Sequence, residues 1–451
     1  MTAIPDGSPT VLRLRRLDLR NPDEATLLER DRMFRRGAVP DPRVREAART
    51  ILGDVRDRAA EAVRDAAGRF GGGLADGRLV LGRAELRAAR DALGRAQLTA
   101  LETAIANVTR FAETQVPRST RTTVVPGVDI ERRWLPVSRV GAYVPGGSAP
   151  YPSSLIMTVV PARVAGVGSI VVASPANTQG AVNPVLLGAA GLLDVDALVV
   201  AGGIQAIGAL AYGLGDERVL PVDLIVGPGS SWVTAAKVEL VGEVAIDLPA
   251  GPSEGLVLAD ASGSPSVVAA DLLTQAEHGV DSPAVLVTDD VAFAEVVETE
   301  VQRRLSTALR RDVLARALAE HGRIVLVPDV AAGIEFVNGY GPEHLSIEVE
   351  DCEAAVAAVR NAGSIFVGRW APESAGDYAT GANHVLPTGG LARACGALAV
   401  DTFGKYNQVQ RISREGLAAL RPTIATLAEA EGLLAHRDAV EVRFYDEEPQ
   451  R

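Results

Sequence analysis

The segment SIVVASP at residues 169–175 shows the pattern that decides the fold. It is short, apolar along its whole length and rich in β-branched residues, and most runs of this kind are separated by helix-like segments rich in Ala and Leu. This alternation predicts a parallel sheet, and strands that are apolar throughout are buried on both faces. We therefore predict an α/β, doubly wound fold. Seven other runs share the pattern: VGAYVP (140–145), ALVVAGG (197–203), LIVGPG (224–229), LVLAD (256–260), AVLVTDD (284–290), RIVLVPD (323–329) and SIFVG (364–368).

The length of the chain predicts more than one hydrophobic core, because 451 residues exceed what one core usually organises. We place a doubly wound unit at residues 138–245 and a second one at 37–137 together with 246–395. An arm at 1–36 and a helical tail at 396–451 complete the chain. Apolar residues at helical spacing predict helices over 43–70 and 84–115, joined by the loop GRFGGGLADG.

The composition predicts a folded protein and argues against several classes of function. Of the residues, 47% are hydrophobic, and the net charge of −12 comes without a basic patch that contains aromatic residues, so we expect no nucleic-acid partner. Two cysteines, Cys352 and Cys395, are too few for a disulfide framework. Asp194 and Asp196 interrupt the longest apolar stretch, and the first residues do not resemble a signal peptide. We expect a cytoplasmic protein with no membrane partner.

Nucleotide-binding motifs of the usual kinds are missing from the sequence, which contains neither G-x-G-x-x-G nor a P-loop. Two glycine-containing turns, VPGGSAP (144–150) and GPGSSW (227–232), each follow a predicted strand. Such turns allow a ligand to approach the backbone closely, although most glycine turns after strands are only turns.

The segment LLTQAEHG (272–279) ends a predicted helix that Ser264 caps and Pro265 begins. Gln275 and His278 lie three residues apart, hence on one helix face, close to the negative end of the helix dipole. This arrangement favours a bound cation. The alternative is a capped amphipathic helix whose polar residues face water, with Gly279 ending it.

Further ligands for a cation occur in two other segments. Asp377 and His384 lie in GDYATGANH (376–384), among turn-forming residues, and Glu431 and His436 lie in EGLLAH (431–436). The alternative for the second pair is a solvated helix end, and we assign His321 to the surface. Zinc accepts imidazole nitrogen and carboxylate or amide oxygen, and a set without a cysteine pair suits a zinc ion that also holds substrate.

The segment GPEHLS (341–346) places Glu343 and His344 at the start of a strand. From Leu345 to Val349 every second residue is apolar and is expected to face the core, whereas the residues between them, with Glu350, are expected to face outward. An imidazole can take a proton from an alcohol, and an adjacent carboxylate can activate water. The alternative is a polar turn before a strand.

Taken together, six segments resemble the histidinol dehydrogenase family over nearly the whole chain and in the family's order. They are VGAYVPGGSAPYPS (140–153), GGIQAIGALAYG (202–213), IDLPAGPSE (246–254), LLTQAEHG (272–279), YGPEHL (340–345) and PESAGDYATGANHVLPTGG (372–390).

The resemblance implies an NAD-dependent enzyme that oxidises L-histidinol to L-histidine through histidinaldehyde, the last step of histidine biosynthesis, with two NAD and one Zn²⁺ per subunit. It implies that Glu343 and His344 are the acid–base pair. It implies zinc ligands at Gln275, His278, Asp377 and His436. The implied substrate contacts are these four ligands with Ser253, His344, His384 and Glu431.

The resemblance also implies NAD contacts at Tyr143, Gln205 and Ser230. At the last position the family often has GPGN where this chain has GPGS, so one hydroxyl replaces an amide. The implied architecture is a homodimer of two incomplete Rossmann-like domains, with N- and C-terminal tails exchanged between subunits and His436 reaching the partner's site.

Two other functions are compatible with the same residues. In the first, a zinc hydrolase uses Glu343 to activate water and needs no dinucleotide. In the second, the zinc only holds a dimer together. We expect neither cysteine to be catalytic, because Cys352 and Cys395 occupy positions where small buried hydrophobic residues are usual.

Overall fold

The computed structural model describes residues 13–146, 150–217 and 219–445. The described chain divides into two compact units. The first comprises the residues up to Gln115 and Val137–Phe403, and the second comprises Val116–Pro136 and the residues from Gly404 onward. No helix in the described ranges has the length and apolar character needed to cross a membrane.

The strands of the described chain are short, and most lie in the first unit. In chain order they are β1 Arg15–Asp18, β2 Val80–Gly82, β3 Thr120–Val125, β4 Val128–Pro136, β5 Arg139–Tyr143, β6 Ser169–Ser174, β7 Ala197–Val200, β8 Leu224–Val226, β9 Ala245–Ile246, β10 Gly255–Ala259, β11 Ala284–Thr288, β12 Arg323–Leu326, β13 His344–Glu348, β14 Ser364–Val367 and β15 Gly404–Ile412.

Helices separate most of these strands. They are α1 Glu24–Phe34, α2 Pro42–Arg58, α3 Ala60–Phe70, α4 Arg83–Asp91, α5 Arg95–Glu113, α6 Pro152–Ala165, α7 Pro184–Leu192, α8 Gly203–Tyr212, α9 Ser231–Glu239, α10 Pro265–Glu277, α11 Val291–Leu305, α12 Arg311–His321, α13 Val330–Tyr340, α14 Cys352–Ala358, α15 Glu373–Tyr378, α16 Arg414–Ala430 and α17 Leu434–Tyr445, with short 3₁₀ helices at Gly215–Glu217, Leu391–Arg393 and Val400–Phe403.

The first unit contains two six-stranded sheets. Sheet 1 has the order β1-β12-β11-β10-β13-β14, and all of its strand pairs are parallel. Sheet 2 has the order β2-β7-β6-β5-β8-β9 and is parallel except for the β2–β7 pair. The predicted α/β, doubly wound fold is therefore confirmed, because short apolar strands and helices alternate around two largely parallel sheets.

Helices cover both faces of sheet 1. On one face α10, α11 and α12 pack on Val257 and Leu286, and on the other α13 and α14 pack on Leu258 and Ile347. The alternating pattern predicted for GPEHLS is consequently wrong in part, because every residue of β13 is buried. A strand in the interior of a parallel sheet has no solvent face, so its polar residues are buried along with its apolar ones.

The N-terminal region differs from the sequence-based expectation. Residues 15–18 are the edge strand β1 of sheet 1, with Leu17 buried, rather than a separate arm. Helices α2 and α3 pack on α8 and α9, and α4 and α5 pack on α7 and α6, so they cover sheet 2 and not sheet 1. Helical spacing shows that a helix has an apolar face, but it does not show which sheet that face will contact.

Both predicted N-terminal helices are also interrupted. Ala59, at a φ of 46°, separates α2 from α3, and residues 92–94 separate α4 from α5. The second unit combines the antiparallel sheet β15-β4-β3 with α16 and α17. The tail predicted to be helical over 396–451 is therefore helical only from Arg414, because the strand β15 precedes those helices and pairs with β4.

Candidate active site

The candidate site lies at the amino-terminal edge of sheet 1. Gly255 and His344 are the first residues of the adjacent strands β10 and β13, and they are paired in register. The carboxyl end of α10 reaches the same edge, since α10 leads into β11 and Gly255 N–H donates to Pro283 O at 3.0 Å. Helix α10 begins at Pro265 as predicted and ends at Glu277, so His278 is its C-cap.

Gln275 and His344 are buried side by side. Oε1 of Gln275 lies 3.3 Å from Nδ1 of His344, and the ring centroids of His278 and His344 lie 6.0 Å apart. Gly255 permits this approach, because a Cβ at that position would lie 2.8 Å from the Gln275 side chain. Burial, with smaller effects from His278 and His384, lowers the pKa of His344 to about 3. The imidazole is therefore neutral at physiological pH.

Glu343 is buried beside His344, and its carboxylate is hydrogen-bonded on one oxygen. Oε2 accepts from Ser253 Oγ at 2.8 Å and from Glu254 N–H at 2.9 Å, while Gln275 Nε2 donates to Ser253 Oγ at 3.3 Å. Burial raises the pKa of Glu343 to about 8 against the opposing effect of these hydrogen bonds. A carboxyl group that titrates near neutrality can both hold and release a proton at working pH.

His278, Glu373 and Asp377 form a group able to hold a metal ion, with one donor atom from each lying within 4.8 Å of the others. Two of these residues were predicted as ligands, and Glu373 was not. Oε1 of Glu373 is buried without a hydrogen-bond partner among the described residues. Burial, followed by the charges of Asp377, Glu343 and Asp271, raises the pKa of Glu373 well above its usual range.

This donor set fits a divalent cation. The carboxyl groups of Glu343, Glu373 and Asp377 lie beside the imidazoles of His278 and His344. Burial raises the pKa of Glu343 and Glu373. The neighbouring Glu254 is by contrast paired in bidentate fashion with Arg36, at 2.7 Å on each oxygen. Mixed imidazole and oxygen donors are ligands that zinc accepts.

His384 connects the candidate site to sheet 2. Its Nε2 lies 3.1 Å from Ser154 Oγ on α6, and its Nδ1 lies 3.1 Å from the Asp377 carbonyl oxygen. Burial lowers the pKa of His384. Both ring nitrogens thus have partners within the chain, and these contacts hold the segment that carries Asp377.

Glu431 and His436, the remaining predicted contacts, belong to the second compact unit. Glu431 is the C-cap of α16, His436 lies in the first turn of α17, and both are exposed. The group formed by His278, Glu373 and Asp377 within the first unit is therefore assembled without them.

A cavity of about 1250 Å³ lies at the carboxyl edge of sheet 2. The three predicted NAD contacts, Tyr143, Gln205 and Ser230, all line it. Tyr143 and Gln205 are buried, and the Tyr143 hydroxyl accepts from Gly203 N–H at 3.3 Å. Of the turn VPGGSAP, Pro145 and Gly146 line the cavity, whereas residues 147–149 lie outside the described residues.

The turn that carries Ser230 is anchored by a buried ion pair. Lys237 Nζ pairs with Asp247 and donates to Gly227 O at 3.0 Å, and Asp247 Oδ2 accepts from Gly227 N–H at 2.8 Å. Gly227 has a φ of 113°, and a Cβ there would clash with the Tyr143 carbonyl, so the position requires glycine. Ser230 is the N-cap of α9 and its side chain makes no capping hydrogen bond, which leaves the hydroxyl available to a ligand.

Glu373 and the Lys237–Asp247 pair were not predicted from the sequence. Glu373 had a signal, because it lies four residues before Asp377 and thus on the same face of a helix. The ion pair had none, since it joins a helix to a loop ten residues later through tertiary packing.

The cysteines and His321 lie away from this chemistry. Cys352 is half-buried, and its thiol donates to the Val349 carbonyl at 3.1 Å. Cys395 is exposed, so the expectation that it replaces a small buried hydrophobic residue is wrong. Its alanine- and glycine-containing surroundings form an exposed segment after a 3₁₀ helix. His321 lies at the end of α12, partly exposed, with Nε2 3.8 Å from Glu320.

Comparison with known proteins identifies the family of this chain. The family model described as histidinol dehydrogenase matches residues 34–444. The histidinol dehydrogenase of Leifsonia xyli subsp. xyli is 46% identical over 418 residues, which cover 92% of this chain and 95% of the relative. That of Nocardia farcinica is 44% identical over 439 residues, which cover 96% and 98%.

A solved structure extends the similarity to three dimensions. The crystal structure of histidinol dehydrogenase from Elizabethkingia anophelis superimposes with a TM-score of 0.87 at 34% sequence identity. The superposition covers 96% of this chain and 98% of that one. The chain therefore belongs to the histidinol dehydrogenase family of oxidoreductases.

Proposed function

We propose that this protein oxidises L-histidinol to L-histidine through histidinaldehyde, using two NAD and one Zn²⁺ per subunit, as the last step of histidine biosynthesis. The observation that carries the proposal is the buried pair Glu343 and His344 beside the metal-binding group of His278, Glu373 and Asp377. The relatives described above are dehydrogenases, which does not favour the alternative of a zinc hydrolase.

The residues proposed to hold the zinc are Gln275, His278 and Asp377, with His436 contributed by the second subunit of a homodimer. When bound, zinc supplies a Lewis acid that holds the nitrogen atoms of the substrate and orients the carbinol carbon. The donor atoms of His278 and Asp377, which lie within 4.8 Å of each other, support a cation at this position.

His344 is proposed to be the general base in both oxidation steps. Burial keeps the imidazole neutral, so it can accept the hydroxyl proton of the alcohol as the hydride leaves. It accepts a second proton when the hydrated aldehyde is oxidised. Because Gln275 Oε1 faces Nδ1, the other ring nitrogen, Nε2, is the one left to meet the substrate.

Glu343 is proposed to activate the water that hydrates the aldehyde. Ser253 and the Glu254 N–H hold one carboxylate oxygen, which leaves the other to accept a proton from water. Burial raises the pKa of Glu343 to about 8, which makes its carboxylate a stronger base than an exposed glutamate. Ser253, His384 and Glu431 complete the proposed substrate contacts.

The cavity at the carboxyl edge of sheet 2 is proposed to hold NAD, which supplies the hydride acceptor when bound. Tyr143, Gln205 and Ser230 are the proposed contacts, and their arrangement around one cavity supports the assignment. The N-termini of α8 and α9 follow Gly202 and Ser230 at this edge, and helix N-termini favour the negative charge of a pyrophosphate.

We further propose a cytoplasmic homodimer with exchanged tails and no nucleic-acid or membrane partner. The exchange supplies Glu431 and His436 of each chain to the other subunit's site, which is consistent with their exposure in the single chain. A closed dimer with two equivalent sites is the simplest symmetric arrangement that satisfies this requirement.

The decisive experiment is to mix the zinc-loaded protein with L-histidinol and NAD and to measure NADH and histidine together. The expected result is two NADH for each histidine, with turnover lost after chelation while the dimer persists. The absence of NADH would overturn the proposal in favour of a hydrolase, and dissociation on chelation would support a zinc that only holds the dimer together.

A further inference from the structure

Glu373 has a position that the proposed reaction leaves unexplained. Its side chain is buried, with the residue only 3% exposed, and Oε1 has no hydrogen-bond partner in the described structure. An unpartnered buried carboxylate oxygen is costly, so proteins rarely retain one without a role. Its surroundings indicate what that role is.

The unpartnered oxygen faces two imidazoles at equal distance. Glu373 Oε1 lies 3.7 Å from Nδ1 of His278 and 3.7 Å from Nδ1 of His344. These contacts are slightly too long for hydrogen bonds, and such bonds often tighten only when a site is loaded. One acceptor therefore lies between the histidine proposed to bind zinc and the histidine proposed to move protons.

We propose that Glu373 is a positioning residue whose carboxylate accepts N–H from Nδ1 of both His278 and His344. The inference rests on the proposed function. It assigns the same tautomer to both rings, with Nε2 of His278 left to ligate zinc and Nε2 of His344 left to accept the substrate proton. Carboxylates commonly orient metal-binding histidines in this way.

Two features of the site agree with this assignment. Oε1 of Gln275, which cannot donate, also faces Nδ1 of His344, and Glu343 Oε2 lies 3.8 Å from the same nitrogen. With Glu373, three acceptors therefore surround this nitrogen. Helix α15 carries both Glu373 and Asp377, so one short helix positions a metal ligand and the oxygen that orients another ligand. The metal site and the base are thus coupled through one side chain.

The test is Glu373→Gln, which keeps the shape of the side chain and removes its charge. Zinc affinity, measured by competition with a chromogenic chelator, is expected to fall by about 10- to 100-fold. At saturating zinc, kcat is expected to fall about 10-fold or more while the KM for histidinol changes little. Glu277→Gln is the matched control, because Glu277 is exposed and adjacent to His278.

Long-range ¹H–¹⁵N spectra of protein labelled on its five histidines read the tautomers directly. Zinc-loaded wild type is expected to show Nδ1–H on His278 and His344, each assigned with a single-site variant. Glu373→Asp retains the charge, and its zinc affinity is expected to lie between those of wild type and Glu373→Gln, so it replaces the amide variant if that one does not fold.

Unchanged zinc affinity and kcat in Glu373→Gln, or an Nε2–H tautomer on His278, would overturn the inference about Glu373. If the wild type still turns over histidinol, the proposed function is unaffected by that result. If the wild type failed to form NADH from histidinol, that result would instead contradict the proposed function. The tautomers of the zinc-loaded protein remain measurable in that case and decide the role of Glu373 independently.

Discussion

In the first unit, the cavity of sheet 2 and the candidate active site of sheet 1 lie at opposite edges of their sheets. The cavity of sheet 2 lies beyond the carboxyl ends of β5, β6 and β7, where Tyr143, Pro175 and Gly202 line it. The candidate active site of sheet 1 lies at the amino ends of β10 and β13, where Gly255 and His344 begin those strands. Ligands of open α/β sheets usually bind at the carboxyl edge, so sheet 2 follows that rule and sheet 1 departs from it.

Helix polarity explains the difference. At the carboxyl edge of a parallel sheet the following helices begin, and their N-termini favour anions such as a pyrophosphate. At the amino edge the preceding helices end, and their C-termini favour cations. Helix α10 ends at this edge, beside Gln275 and His278. The choice of edge therefore matches the sign of the proposed ligand, a dinucleotide in one sheet and a metal ion in the other.

The buried charges differ in the same sense. Near the sheet 2 cavity, Asp247 is neutralised by Lys237. At the sheet 1 edge, Glu343 and Glu373 are buried beside the imidazole of His344, and burial raises the pKa of both. The chain itself balances the buried charge near the sheet 2 cavity, whereas the sheet 1 edge has the donor groups proposed to hold zinc.

The largest effect is expected from removing the base at the sheet 1 edge. His344→Ala is expected to lower kcat by about 10² to 10⁴-fold, because no other group would accept the substrate proton. Steady-state NADH formation at saturating histidinol and NAD measures this loss. His321→Ala, which changes a histidine at the end of α12, is the control and should retain wild-type turnover.

Mixing variants tests whether the tails are shared. When His344→Ala and His436→Ala chains are refolded or expressed together, a heterodimer with exchanged tails contains one intact site, so about a quarter of wild-type activity is expected. Activity no greater than that of the separate variants would contradict the exchange. A retained kcat in His344→Ala would contradict the role of this histidine.

The second-largest effect is expected from breaking the Lys237–Asp247 ion pair near the sheet 2 cavity. Lys237→Met leaves Asp247 buried and unpaired, so the free energy of unfolding is expected to fall by about 3–5 kcal/mol. Because Lys237 also holds Gly227 O in the turn before Ser230, the KM for NAD should rise more than kcat falls. Chemical denaturation measures the change in stability, and NAD titration measures the change in KM. An unchanged KM would mean that the ion pair does not affect NAD binding.

The smallest effect concerns Asp271, a buried acid on α10 whose charge contributes to the raised pKa of Glu373. Burial, aided by Glu348, raises the pKa of Asp271 from 3.8 to about 6. The folded state therefore binds the proton more tightly than the unfolded state, and stability falls as pH rises through this interval. The difference corresponds to about 3 kcal/mol at most, so Asp271→Asn should be more stable than wild type at pH 7.5 and no different at pH 3.5.

Thermal or urea unfolding at both pH values measures the effect of Asp271→Asn. Glu335→Gln, at an exposed position on α13, is the matched control and should change stability little at either pH. Equal stability of wild type and Asp271→Asn at pH 7.5 would mean that Asp271 is solvated or paired in solution.

The fold class could be predicted because apolar runs report burial directly. SIVVASP became β6 with every residue from Ile170 to Ser174 buried, and most other runs also became strands of parallel sheets. Pairs close in sequence, such as Gln275 with His278 and Glu343 with His344, were also predictable. The reason is their spacing, which by itself brings them together on a helix or at a strand end.

Other features depended on contacts between distant segments. The helices α2 to α5 were predicted for one sheet and cover the other, because an apolar helix face fits either surface. Ser346 and Glu348 are buried because strands and helices far apart in the chain cover β13, which its own alternating pattern does not reveal.

The sequence by itself determined the α/β class, the residue types able to hold a cation and move a proton, and the membership of a family. Tertiary structure alone decided that Glu373 faces both His278 and His344, that Lys237 neutralises Asp247, and that the sheet 2 cavity and the sheet 1 candidate site lie at opposite edges. The physical reason is that local sequence specifies burial and backbone direction, whereas charge balance depends on which distant groups packing brings within a few ångströms.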